Sequence, residues 1–120
     1  MSPSPLICVI DDDQAMRVSL ENLFRSCGYE VRTFASALAF IASGLTPACV
    51  VSDLQMPGMS GVELKQRLNA TGASTPVIIV TAFPDERIRA QADQAGVLCF
   101  LKKPFKGDDL LTCVEAALAA

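Results

Sequence analysis

Leu6-Ile7-Cys8-Val9-Ile10-Asp11-Asp12-Asp13 joins five uninterrupted apolar residues to three consecutive acids. An apolar run this short cannot form a signal peptide or a membrane span. Its length and lack of alternation are those of a strand covered on both faces. The acids therefore stand at that strand's carboxyl end. Upstream, Met1 to Pro5 offers Ser and Pro with nothing to pack, and reads as a loose leader.

Moving outward, strand and helix signals alternate. Gln14 to Cys27 is helical, because Met16, Leu20, Leu23, Phe24 and Cys27 fall on one face at offsets of 0, 4, 7, 8 and 11. Gly28 supplies its C-terminal cap. Glu30–Phe34 alternates polar and apolar side chains, the pattern of an edge strand with one wet face. A short helix over Ser36–Ser43 is stopped by Gly44 and Pro47. Ala48–Ser52 and Val77–Val80 are apolar and β-rich, hence central strands. Between them, Ser60-Gly61-Val62-Glu63 is a capping box that opens a helix to Asn69. A helix at Asp85–Ala95, a strand at Val97–Leu101 and a last helix from Gly107 complete the chain. Strict β-α alternation implies a doubly wound α/β fold with a parallel sheet and right-handed crossovers. With Glu30–Phe34 at an edge, the strand order is 2-1-3-4-5, the flavodoxin-like (βα)5 arrangement. No repeat, linker or second domain is visible, so residues 1–120 read as one domain.

Composition narrows the function. Half the residues are apolar, enough for a core without disulfide or metal staples. A net charge of −3 with no basic run argues against direct contact with nucleic acid. The five cysteines form no C-x-x-C pair, and four lie in apolar runs, so they read as small buried hydrophobes in a reducing, cytoplasmic compartment. The absence of histidine removes histidine-based catalysis, most zinc sites and a phosphohistidine role.

In a sheet of this order, ligands bind beyond the carboxyl ends of the strands, where the order reverses between strands 1 and 3. Strand 1 runs into Asp11, Asp12 and Asp13, strand 3 into Asp53, strand 4 into Thr81, and strand 5 into Lys102, Lys103 and Pro104. Packed carboxylates repel and need a compensating cation. Hard oxygen donors with room for water favour Mg²⁺ over zinc. A carboxylate between Mg²⁺ and a lysine is suited to accept a phosphoryl group, since both cations neutralise charge on the transferring oxygens. To face Asp53, the lysine must leave its strand through a sharp turn, which a cis Lys103–Pro104 bond makes at a cost of only about 0.5–1 kcal/mol.

Four segments together, Val9–Asp13, Val51–Gly61, Val80-Thr81-Ala82 and Phe100–Phe105, closely resemble the response-regulator receiver domain of two-component systems. The resemblance runs from Leu6 to Ala119 in the right order and spacing. The stretch Asp53 to Leu64 is most similar to the FixJ-type branch, whose members usually carry a C-terminal LuxR-type helix-turn-helix. The resemblance implies that Asp53 is phosphorylated by a sensor histidine kinase. Asp12 would bind Mg²⁺ directly, Asp11 through water, and the backbone carbonyl of Gln55 would complete the protein's share of the shell. Lys103 would pair with the phosphate, Thr81 would swing in to hydrogen-bond it, Phe100 would be the switch aromatic, and Ala82 would leave room for entry. Gln55 and Phe83 would flank the attacking water and set the phosphoryl lifetime. Asp13 reads as a helix cap and Lys102 as a solvated charge.

The helix at Asp85–Ala95 has the poorest apolar face in the chain, with only Ile88, Ala92 and Ala95, and should be the least firmly docked. Movement of the surface it forms with strand 5 and the last helix would control homodimerisation or an attached DNA-binding output domain. A competing function is a small aspartyl-nucleophile phosphohydrolase of the haloacid-dehalogenase type. That chemistry needs a second Asp two residues after the nucleophile, where this chain has Gln55, and a cap domain for which there is no room.

Overall fold

The computed structural model describes residues 4–119. Of the expected leader, Met1 to Pro3 lie outside the described residues, while Ser4 and Pro5 are exposed. Five strands, β1 (Leu6–Ile10), β2 (Glu30–Phe34), β3 (Cys49–Asp53), β4 (Val77–Thr81) and β5 (Cys99–Lys102), alternate with five helices. The helices are α1 (Gln14–Ser26), α2 (Ala37–Ser43), α3 (Gly61–Ala70), α4 (Glu86–Ala95) and α5 (Gly107–Ala119). All strand pairs are parallel, in the order β2-β1-β3-β4-β5. This is the doubly wound topology that the sequence pattern implies.

Because side chains alternate across a strand, the sheet divides the core in two. Ile7, Val9, Val51, Ile78 and Val80 face α1 and α5, where they meet Leu20, Phe24, Leu110 and Val114. Cys8, Ile10, Val50, Val77 and Ile79 face α2, α3 and α4, where they meet Phe40, Val62, Leu64 and Ala92. The central strands are buried on both faces, whereas edge strand β2 buries only Val31 fully. Cys8 and Cys49 belong to these cores, and burial pushes their thiols up to about 11 and about 12. They are packing groups with no thiolate character.

Several element ends differ from the apolar runs that mark them. β3 and β4 each extend one residue further, into Asp53 and Thr81. The ladder continues past the apolar stretch, as Leu54 N–H donates to Val80 O at 3.0 Å and Lys103 N–H to Thr81 O at 2.7 Å. β5 starts at Cys99 rather than Val97. Gly96 ends α4 in the left-handed region (φ 87°), and Val97 N–H turns back to Ala92 O, so Val97 belongs to the helix cap. Asp85 and Ser36 are N-caps rather than helical residues. The Lys103–Pro104 bond is cis.

α4 buries the fewest residues of the five helices. Ala92 is its one fully buried side chain. Its C-terminal end is tied to α3 by Asn69 Nδ2, which donates to Ala95 O at 2.7 Å. On its outer face the Arg89 guanidinium lies 5.9 Å from the centroid of the Phe100 ring, within cation–π range. Among the described residues no helix is long and apolar enough to cross a membrane.

Candidate functional site

The three central strands and β5 end at one rim, and the residues at or just past those ends build the site. Asp11 follows β1 directly and is almost fully buried. Each of its polar groups is engaged. Its N–H donates to Phe34 O at 3.1 Å, Oδ1 accepts from Asp13 N–H at 2.9 Å, and Oδ2 accepts from Lys103 Nζ at 3.1 Å. Asp12 is exposed. Asp13 accepts from Ala15 N–H at 2.9 Å and caps α1, the role expected of it.

Asp53 closes β3 with its side chain 13% exposed, 3.6 Å from Lys103 Nζ. One carboxylate oxygen from each of Asp11, Asp12 and Asp53 lies within 4.8 Å of the others. Burial, and next the Asp11 charge, hold the Asp53 carboxyl above the usual range against the opposing pull of Lys103. Lys103, ninety-two residues from Asp11, bonds one acid and lies close to the other. One ammonium against three carboxylates leaves a net negative cradle of hard oxygen donors, and this donor set fits a small divalent cation such as Mg²⁺.

Thr81 closes β4, buried, with Oγ1 accepting from Phe83 N–H at 3.1 Å. Its own hydroxyl proton is left to donate. Ala82 and Phe83 are exposed in the loop that follows, and Gln55 is exposed two residues beyond Asp53. Phe100 is half-buried on the α2–α4 side of the sheet.

A profile of the family described as the response regulator receiver domain matches residues 7–115. The chain belongs to that family. The receiver domain is 43% identical over 114 residues to the transcriptional regulatory protein FixJ of Bradyrhizobium diazoefficiens, covering 93% of this chain and 56% of that protein. Against the transcriptional regulatory protein TdiR of Thauera aromatica it is 41% identical, covering 94% and 51%. It thus spans about half the length of the curated relatives it matches. The crystal structure of FixJ-N superposes with a TM-score of 0.88 at 31% identity, covering 99% of this receiver domain and 96% of that chain.

One residue that shapes the site stands in the sequence only within a capping box and at the end of the Val51–Gly61 segment, where no role of its own attaches to it. Gly61 opens α3 directly behind strand β3. A Cβ placed there would lie 2.8 Å from Asp53 O and 3.2 Å from Ser52 Oγ. The close approach is fastened by Gly61 N–H, which donates to Leu54 O at 3.1 Å. A glycine in a helix ordinarily costs about 0.5–1 kcal/mol against alanine, which is the signal that could have found it. In this receiver domain the sign should reverse. Gly61→Ala is expected to destabilise by about 1–3 kcal/mol, because the Asp53 carbonyl cannot give way without moving the end of β3. Urea unfolding of the variant checks this, and a more stable Gly61→Ala would refute the packing argument.

Proposed function

We propose that Asp53 accepts a phosphoryl group from the phosphohistidine of a sensor histidine kinase, and that the domain acts as a phosphorylation-driven switch. An Asp53 carboxylate oxygen attacks phosphorus, the N–P bond breaks, and the donor imidazole leaves. Lys103 stabilises the charge on the phosphoryl oxygens, and Ala82 leaves space at the rim for the group to enter. Asp11, Asp12, Asp53 and the Gln55 carbonyl would hold Mg²⁺, which when bound neutralises part of the same charge. The observation that carries this reading is the position of Lys103 Nζ, 3.1 Å from Asp11 and 3.6 Å from Asp53 at the end of strand β5. In place of the second aspartate that a phosphohydrolase of the dehalogenase type needs stands Gln55.

The test is incubation with acetyl phosphate and Mg²⁺, followed by intact mass and by borohydride trapping with peptide mapping. A single phosphoryl group on Asp53 is expected. A group found elsewhere, or none, would overturn the assignment. Asp12→Ala should lose Mg²⁺ binding and phosphorylation together while keeping its fold, because Asp12 is exposed and supports no packing. A normal Mg²⁺ titration of that variant would place the metal elsewhere.

The proposed output runs through Thr81 and Phe100. A phosphoryl group on Asp53 draws the Thr81 hydroxyl inward, the vacated space admits the Phe100 ring, and the α4–β5–α5 surface shifts. That surface would control homodimerisation or a DNA-binding output domain in a full-length regulator. Sedimentation with and without beryllofluoride reads this directly. Thr81→Ala and Phe100→Ala should lose the response. If both respond as fully as the native chain, the switch is wrong even where Asp53 is the acceptor.

A further inference from the structure

Arg17 stands against the grain of its helix. It occupies the first turns of α1, near the positive end of the helix dipole, where a cation is disfavoured and acids are preferred. Three aspartates precede it in sequence. Among the described residues it nevertheless forms no ion pair with any of them. Its Nη1 reaches back six residues and donates to the backbone carbonyl of Asp11 at 2.6 Å.

The bond closes a small framework. Arg17 N–H donates to Asp13 O at 3.1 Å, Asp13 N–H donates to Asp11 Oδ1, and Asp11 N–H donates to Phe34 O. The peptide on either side of Asp12 is thereby held at both ends, while the Asp12 carboxylate itself is not engaged by the arginine. A charge-assisted bond to a carbonyl is stronger than a neutral one and fixes direction. The guanidinium thus stiffens the turn without occupying a carboxylate oxygen that a cation would need.

We infer that Arg17 is a positioning residue for the divalent-cation site: its bond to Asp11 O holds the Asp11–Asp12 turn so that the Asp12 carboxylate stays within reach of Asp11 and Asp53. This rests on the Mg²⁺ site proposed above. It also opposes the simplest electrostatic expectation. Removing a positive charge beside a cation site should tighten cation binding if charge were all that mattered. Removing a support of the ligand turn should weaken it, and losses of such outer partners commonly cost about 10–100-fold in affinity. The two effects have opposite signs, so the direction of the change decides.

The experiment is a Mg²⁺ titration of the isotope-labelled chain followed by amide NMR shifts, for the native protein, Arg17→Met, Arg17→Lys and Asp12→Ala. Arg17→Met should bind Mg²⁺ about tenfold more weakly, with unchanged shifts in strands distant from the rim. Arg17→Lys, which can still donate to Asp11 O, should recover most of the affinity. At saturating Mg²⁺, phosphorylation of Arg17→Met by acetyl phosphate should approach the native rate, separating weaker binding from impaired chemistry. Equal or tighter Mg²⁺ binding by Arg17→Met would overturn the inference, as would a Lys variant no better than Met. If Arg17→Met does not fold, the Lys variant decides alone: near-native affinity supports the inference, and a loss like that of Asp12→Ala overturns it. Native protein that binds no Mg²⁺ at all would instead sink the proposed metal site, a distinguishable result.

Discussion

An Asp53→Asn variant should take up no phosphoryl group from any donor, and it should melt at a higher temperature than the native chain at pH 7. The loss of uptake follows because a carboxamide oxygen is no nucleophile toward phosphorus under these conditions. The gain in stability follows from the direction of the Asp53 shift. Burial and the Asp11 charge raise its folded-state pKa, so the native state binds this proton more tightly than the unfolded chain does. The stability linked to that proton is fully present below the unfolded value, about 3.9, and is lost as pH rises through the raised folded value. At neutral pH the ionised group therefore weighs against the fold, and asparagine removes the charge. The difference in melting temperature should shrink as pH falls toward 4. Calorimetry across that range checks the sign, and a variant less stable than native at pH 7 would contradict it.

Lys103→Met should slow phosphorylation by acetyl phosphate about 10²–10³-fold, the usual effect of deleting one preorganised group that stabilises developing negative charge. The same change leaves the buried Asp11 carboxylate without its cation. Breaking a buried pair from one side typically costs about 3–5 kcal/mol. Lys103 is 17% exposed and Asp11 1%, so most of that penalty should apply. Mg²⁺ should offset part of it, because the cation can neutralise the acids that lysine no longer serves. The variant is thus expected to bind Mg²⁺ at least as tightly as native protein, to transfer phosphate poorly, and to melt much lower in EDTA than in Mg²⁺. Phosphorylation at the native rate would remove Lys103 from the proposed mechanism.

Much of this architecture is legible in the letters because parallel strands buried on both faces are written as unbroken apolar runs. Leu6–Ile10 and Val77–Val80 need no tertiary context to be recognised, and the polar residue after each run marks the rim. The ends were less legible. Asp53 and Thr81 are polar yet belong to their strands, since ladder hydrogen bonds continue past the last apolar side chain. Val97 looks like a strand residue but is taken by the helix cap at Gly96, where backbone conformation outweighs β-propensity. The clustering of Asp11, Asp12 and Asp53 and the approach of Lys103 follow from topology alone. Gly61 and Arg17 were not readable in that way. The role of one depends on a clearance of a few ångströms and that of the other on which oxygen a flexible side chain selects.

The pairing of Asp11 with Lys103 has a consequence for how the protein is made. Ninety-two residues separate the two side chains, with Asp53 midway between them. A chain leaving the ribosome presents its acids long before its lysine, and β5 must dock beside β4 before that lysine can reach the rim. Domains fold largely as units during synthesis, and non-local parallel pairings form late. On the proposed mechanism, an incomplete chain therefore carries Asp53 without the lysine that serves it. Under that proposal, competence to accept a phosphoryl group arrives only with the finished sheet, when β5 brings Lys103 to the acids at the rim.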